Sequence, residues 1–186
     1  MSGKQGKLVV ISGPSGVGKS TICRQAAERL GAVLSVSATT RPRGASEVDG
    51  RDYYFLTRQE FQRRIAAGEF LEYAEVFGNY YGTPRRPVEQ AIAEGKIVIL
   101  EIDVQGGVQV KAAMPEAMMI FILPPRMEEL MRRIEKRGRG EDAATRQERL
   151  ARAHAEIETG KAHYEYFVVN DDLDRAVQEV IDIIRR

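Results

Sequence analysis

Four runs of apolar residues, at 8–11, 97–100, 118–123 and 166–169, lack the polar interruptions that a half-exposed strand would show. Such runs are expected of strands buried on both faces. Between them the apolar positions fall at helical spacing. Ile22, Ala26 and Leu30 precede Gly31, where a helix stops; Val88 and Ile92 precede Gly95; residues 105–113 read as a short helix closed by Pro115. Beyond the third run, Met127, Leu130, Met131 and Ile134 make an apolar stripe that Gly138-Arg139-Gly140 interrupts, and a long polar helix follows over 143–160. The last helix opens on Asp171, Asp172 and Asp174 and closes on Arg185 and Arg186, the charge order that a helix dipole favours. This alternation predicts an α/β fold, a doubly wound and mostly parallel sheet whose ligand crevice lies outside the strand C-termini.

The rhythm changes over residues 34–83. A strand over 33–36 leads into a polar loop carrying Arg41 and Arg43, and residues 53–56 read as another strand. Thr57 and Glu60 form a capping box, opening a helix with Phe61 and Ile65 inward and Gly68 at its stop. An aromatic-rich strand over 70–77 runs to a turn at Gly78-Asn79, and the next helix opens between Thr83 and Pro87. The expected organisation is one domain over 1–186, with a core at about 1–33, 84–124 and 160–186, a mixed α+β insertion at 34–83, and a helical segment at 125–159.

Composition narrows the partners. With 186 residues, 43% hydrophobic and 30% charged, the chain can bury one sizeable core, and a net charge of +1 gives no general electrostatic case for nucleic acid or an anionic membrane. The four apolar residues Leu8 to Ile11 are too few for a signal-peptide core or a membrane span, so a cytoplasmic protein is expected. Cys23, the single cysteine, reads as a buried thiol, and His154 and His163 carry no assigned chemistry. Oligomeric state is not written in the sequence.

The first apolar run feeds directly into Gly13-Pro14-Ser15-Gly16-Val17-Gly18-Lys19-Ser20-Thr21, the pattern G-x-x-x-x-G-K-S of a phosphate-binding P-loop. Glycines let the backbone turn its N–H groups onto a polyphosphate, Lys19 adds a cation, Ser20 a hydroxyl suited to Mg²⁺, and the helix that follows aims its positive end at the same oxygens. Glu101 and Asp103, after the second run, stand where P-loop proteins put an acid near the metal, although a helix cap or a solvated acid would look the same. Arg133, Arg137 and Arg149 lie among interleaved acids; they read either as an exposed mixed-charge surface or as cations on a lid over the transferred group.

Further blocks carry a family resemblance: S-V-S-A-T-T-R, E-V-D-G-R-D-Y-Y-F, G-E-F-L-E-Y-A, G-N-Y-Y-G-T, E-I-D-V-Q-G, the Pro124-Pro125 pair and V-N-D-D-L. Together with the P-loop they resemble guanylate kinase over nearly the whole chain. The resemblance implies transfer of the ATP γ-phosphate to GMP, and to dGMP in the same role, with Mg²⁺. It puts Ser37, Arg41, Arg43, Tyr53 and Tyr81 around the GMP phosphate and Glu72 and Thr83 at guanine. Glu101 and Asp103 come near GMP and the metal (Ser20 and Asp103 as its ligands), Arg133, Arg137 and Arg149 into the lid, and Asn170 beside adenine. The guanine assignment suits the groups, since a carboxylate accepts from N1–H and the 2-amino group and a hydroxyl donates to O6. No general base is needed, because the accepting phosphate is already anionic.

One departure stands out. The family's usual order R-x-P-R-x-G-E becomes Arg41-Pro42-Arg43-Gly44-Ala45-Ser46-Glu47 here, with the second arginine one place early. Arg43 is expected to reach the phosphate through a rearranged loop. Two rivals remain open to test: an inactive guanylate-kinase-like protein-binding module, and a P-loop kinase with a different small acceptor.

Overall fold

A computed structural model gives the fold over residues 6–137 and 143–186. The Gly138-Arg139-Gly140 break and the side chains of Ile134 and Arg137 lie outside the described residues. In chain order the elements are β1 Lys7–Ser12, α1 Lys19–Leu30, β2 Val33–Leu34, β3 Ala38–Thr39, β4 Tyr54–Phe55, α2 Arg58–Ala66, β5 Phe70–Val76 and β6 Asn79–Pro84. Then follow α3 Arg85–Ala93, β7 Ile97–Glu101, α4 Val104–Ala113, β8 Met118–Leu123, α5 Met127–Arg137, α6 Ala143–His163, β9 Tyr166–Val169 and α7 Leu173–Arg185. Five strands form one parallel sheet in the order β2-β7-β1-β8-β9, and four form a second, mixed sheet in the order β4-β3-β6-β5.

The unbroken apolar runs are explained by the two faces they serve. In β1, Val9 and Ile11 point into a core shared with Ile22 and Ala26 of α1 and Val177, Val180, Ile181 and Ile184 of α7. Leu8 and Val10 point the other way, toward Val88 of α3, Val104 and Val110 of α4 and Ile157 of α6. Strand side chains alternate, so a strand covered on both sides has no position left for a polar residue. Each fully buried Val or Ile contributes about 1.5–3 kcal/mol, so the four α7 residues alone weigh heavily against a net stability of roughly 5–15 kcal/mol. Cys23 is buried in the first of these cores, and burial pushes its thiol pKa up.

The second sheet has its own small core, in which Phe61 of α2 stacks on Phe70 at 4.3 Å and on Tyr80 at 5.3 Å between ring centroids. Here the sequence expectations need correction. Residues 79–84 form a strand that the sequence did not set apart, and the helix expected to open between Thr83 and Pro87 does so at Arg85, with Pro84 as its cap. The turn falls at Phe77-Gly78, with φ 48° and 77°, not at Gly78-Asn79, and left-handed backbone costs a non-glycine residue about 1–2 kcal/mol. The polar loop also hides the two-residue strand β3, while β2 stops at Leu34 because only its two residues pair with β7. Thr57 caps α2 by accepting from Glu60 N at 3.1 Å, but Glu60 turns its carboxylate to Arg63 and Arg64, so only half of the capping box forms.

Candidate active site

Between β1 and α1 the chain must reverse within six residues, and the glycines carry the turn: Gly13, Gly16 and Gly18 have φ of 151°, 84° and 101°. Gly18 caps α1 with no side-chain hydrogen bond, so the first N–H groups of the helix remain directed at whatever anion sits in the loop. A Cβ on Gly13 would lie 2.4 Å from the Ile122 carbonyl, and one on Gly18 2.5 Å from Asn170 Nδ2. The loop is thus pressed against β8 and the end of β9. Lys19 folds back onto the carbonyls of Gly13 and Pro14, and burial holds its ammonium below the usual lysine value, partly offset by Glu156, Glu101 and Asp103. Pro14 and Val17 are buried, Ser15 and Ser20 exposed, and Thr21 half-buried.

The carboxylates after β7 divide their tasks. Ser20 Oγ donates to Glu101 Oε1 at 2.5 Å, whereas Asp103 accepts from Gly106 N at 2.7 Å through Oδ1 and so caps α4. The oxygen pair formed around the P-loop serine is therefore Ser20 with Glu101. Beneath it, Ser12 donates to the carbonyl of Ile102 at 2.8 Å and accepts from the Tyr164 hydroxyl at 2.6 Å. Both are buried, and Gly107 leaves room for the ring: a Cβ there would come 1.8 Å from the Tyr164 oxygen. A polar residue ending an apolar run was the only sequence signal for Ser12. Nothing local pointed to Tyr164 or Gly107.

On the second sheet, Glu72 of β5 sits opposite Thr83 of β6; the Thr83 hydroxyl donates to Glu72 Oε1 at 2.7 Å, and the two residues are only 7% and 1% exposed. Burial raises the Glu72 carboxyl to about 7, opposed by the Thr83 hydrogen bond and reinforced by the Asp103 charge. A Cβ on Gly106 would lie 2.9 Å from Glu72 Oε2 and 3.4 Å from Asp103 Oδ1. The second sheet thereby meets the first at the start of α4.

A third group gathers around Arg41. Its guanidinium forks onto Glu47 at 2.7 and 3.0 Å, lies 5.5 Å from the centre of the Tyr53 ring, and Tyr53 packs edge-on to Tyr81 at 6.1 Å. Glu47 also accepts from Gly44 N at 2.6 Å, and its carboxyl is held below the usual range by Arg41 first and by that backbone bond second. Glu47 was not among the expected site residues, though it stands inside one of the motif blocks. Ser37 gives its carbonyl to Tyr54 N at 2.9 Å. Arg43 is exposed, and among the described residues it makes no hydrogen bond or ion pair.

Asn170 and Arg133 close the site from the other edge. The buried Asn170 amide donates to Val17 O at 2.7 Å, and Arg133 reaches the same carbonyl at 3.4 Å while pairing with Glu129 at 2.8 Å. A cavity of about 580 Å³ spans Gly13, Lys19, Glu101 and Asp103 on one wall and Arg149 and Ala153 of α6 on the other. That volume suits a nucleotide. Of the three arginines expected on a lid, Arg133 and Arg149 thus border the P-loop or its cavity, and the Arg137 side chain lies outside the described residues.

The guanylate kinase family model matches residues 5–186. Guanylate kinase of Symbiobacterium thermophilum is 53% identical over 97% of this chain and 85% of its own, and that of Synechocystis sp. 52% identical over 97% and 94%. Among solved structures, guanylate kinase from Anaplasma phagocytophilum superposes with a TM-score of 0.78 at 38% identity, covering 98% of this chain and 86% of that one. With the P-loop, the acidic strand end and the second sheet in the places described, this chain belongs to the guanylate kinase family.

Proposed function

We propose that the protein transfers the γ-phosphoryl group of ATP to the phosphate of GMP, giving ADP and GDP. The observation that carries this reading is the buried Glu72–Thr83 pair. A carboxylate out of water whose partners are only the hydroxyl and backbone N–H of Thr83 keeps acceptor capacity to spare, and guanine offers it two N–H donors where adenine offers an acceptor at N1. The Thr83 hydroxyl, now on Glu72, can turn to O6. Arg41, Tyr53 and Tyr81 would hold the GMP phosphate with Ser37 and Arg43, and Gly13 to Thr21 would cradle ATP, with Asn170 near its base. Arg133, Arg137 and Arg149 would neutralise charge on the transferred group.

Mg²⁺ fits the residues present. Ser20 and Glu101 present exposed and half-exposed oxygens to the loop mouth, and Mg²⁺ takes few protein ligands because it keeps water and phosphate oxygens. Asp103, already capping α4, would act through its remaining oxygen. When bound, the ion would draw negative charge from the β- and γ-phosphates. The chain's own residues align the two phosphates and hold them dry. Among the described residues no helix is long and apolar enough to cross a membrane, and a cytoplasmic setting, where ATP is supplied, belongs to the same proposal.

The test is a coupled ADP-release assay with Mg²⁺–ATP and a panel of nucleoside monophosphates. GMP is expected to exceed AMP in kcat/KM by a factor on the order of 10⁴, because AMP would leave the carboxylate unpaired. Equal use of AMP, or binding of nucleotides without turnover, overturns the proposal.

A further inference from the structure

The sharpest mismatch between a residue and its position lies at the tip of the β5–β6 hairpin. Val76 pairs with Asn79, so the loop is the two residues Phe77 and Gly78, both with positive φ. A two-residue hairpin loop of this kind is a type I′ turn, for which Asn, Asp or Gly is the ordinary first residue. Phe77 is the one non-glycine residue with positive φ among those described. Its ring gains nothing from packing, since it is 93% exposed where the next most exposed large apolar residue among those described, Val48, reaches 45%. An aromatic held in a costly backbone and left in water has its use in a state other than the free protein.

Position indicates that state. Phe77 borders the cavity that contains Lys19 and Glu101, and α6 lines the same cavity with Thr145, Arg149 and Ala153, which repeat every fourth position and so share one face, and with Glu148, Arg152 and Glu156 in the adjoining row. The hairpin that carries Phe77 at its tip carries Glu72 and Thr83 at its root, about 15 Å away at the rise of a strand. Guanine at the root and a ring at the tip are therefore borne by one stiff ribbon.

We propose that Phe77 is a positioning residue for phosphoryl transfer: with both nucleotides bound, its ring packs on the face of α6 made by Thr145, Arg149 and Ala153 and closes the cavity to water. The inference rests on the reading of the protein as a GMP kinase. An aromatic face suits an arginine and its aliphatic stem, and the contact covers the reacting phosphates where a polar turn would leave them wet. The side reaction it suppresses is attack of water on the γ-phosphorus, which breaks the bond to the β-phosphate oxygen and gives ADP, inorganic phosphate and a proton in place of GDP.

Phe77→Asn separates ring from backbone, because Asn is at ease in a left-handed turn. ADP and GDP are measured separately with Mg²⁺–ATP and GMP, alongside GMP affinity without ATP and the melting temperature. Wild type and Phe77→Tyr are expected to form close to one GDP per ADP. For Phe77→Asn, GDP formation at saturation falls about tenfold or more and the ADP:GDP ratio rises severalfold, with GMP Kd within about twofold and no fall in melting temperature. Unchanged kcat and ratio, or a loss wholly accounted for by weaker GMP binding, overturns the inference. The chain has no tryptophan, so Phe77→Trp gives a single reporter. Its quenching by acrylamide should fall severalfold with GMP and a non-hydrolysable ATP analogue together, and an accessibility that stays the same refutes the contact. Failure of the wild type to form GDP at all would instead strike the GMP-kinase reading.

Discussion

In the proposed guanine subsite, Glu72 works against the stability of the fold that holds it. Its carboxyl rises from 4.5 to about 7, so between those pH values the folded state binds a proton that the unfolded chain does not. The stability this supplies is present below pH 4.5 and is lost as pH rises through 7, roughly 3 kcal/mol at most. Glu72→Gln removes the titration. We expect its melting temperature to exceed that of the wild type at pH 8, with the gap closing toward pH 5, while the GMP-over-AMP ratio in kcat/KM drops at least a hundredfold. Guanine N–H donors favour the ionised carboxylate, so the wild-type KM for GMP should fall between pH 6 and 8. The same profile on Glu72→Gln isolates ionisation of the GMP phosphate itself; parallel profiles would contradict the assignment. Arg43 poses a second residue-scale question. Arg41 already gives both terminal nitrogens to Glu47, and Arg43, exposed and without a partner among the described residues, is a second cation able to move onto the phosphate. Arg43→Ala should raise the KM for GMP about tenfold, and steady-state kinetics showing a shift within twofold, with kcat also unchanged, would mean that the early arginine has no part in binding.

At the scale of elements, the P-loop is held from outside by β9 and α4 rather than by its own glycines alone. Asn170, one residue past β9, ties Val17 O, and removing its amide leaves a largely enclosed carbonyl short of a donor. Asn170→Ala is expected to cost about 1–3 kcal/mol by chemical denaturation and to raise the KM for ATP more than that for GMP. Gly107 lets α4 approach the end of α6 so closely that the Tyr164 hydroxyl reaches Ser12 beneath the loop. Gly107→Ala should push the ring aside and cost about 1–3 kcal/mol, measured the same way; a stability within 0.5 kcal/mol of wild type would show that the ring relaxes freely.

Across the whole molecule, a parallel sheet with the P-loop and a mixed sheet with the Glu72–Thr83 pair meet at the start of α4, so the proposed substrate site lies where two cores abut. Binding to the folded state alone must stabilise both. GMP at a hundred times its Kd should add about 2.7 kcal/mol to unfolding, read as a rise in melting temperature, and AMP at the same concentration should add little. Equal shifts from the two nucleotides would show that recognition stops at the phosphate.

The sequence by itself determined what depends on near neighbours in the chain. Residues 8–11 could only be a doubly covered strand; Gly18-Lys19-Ser20 could form its loop from local backbone geometry; and Gly31 stops α1 as expected, with φ 62°. The blocks shared with the family carried most of the candidate site residues as well, including Glu72 and Thr83, eleven positions apart and opposite each other in the hairpin. What only the tertiary structure decided are partners far apart in sequence and backbone fixed by pairing. Strand β6 was hidden because Asn79, Gly82 and Pro84 are weak strand formers, and their conformation comes from pairing with β5 and β3. The same register, with Val76 paired to Asn79, moved the turn back by one residue onto Phe77, against the local preference for Asn. The choice of Glu101 rather than Asp103 as the partner of Ser20 likewise follows from the cap of α4, which takes an Asp103 oxygen once the helix has docked.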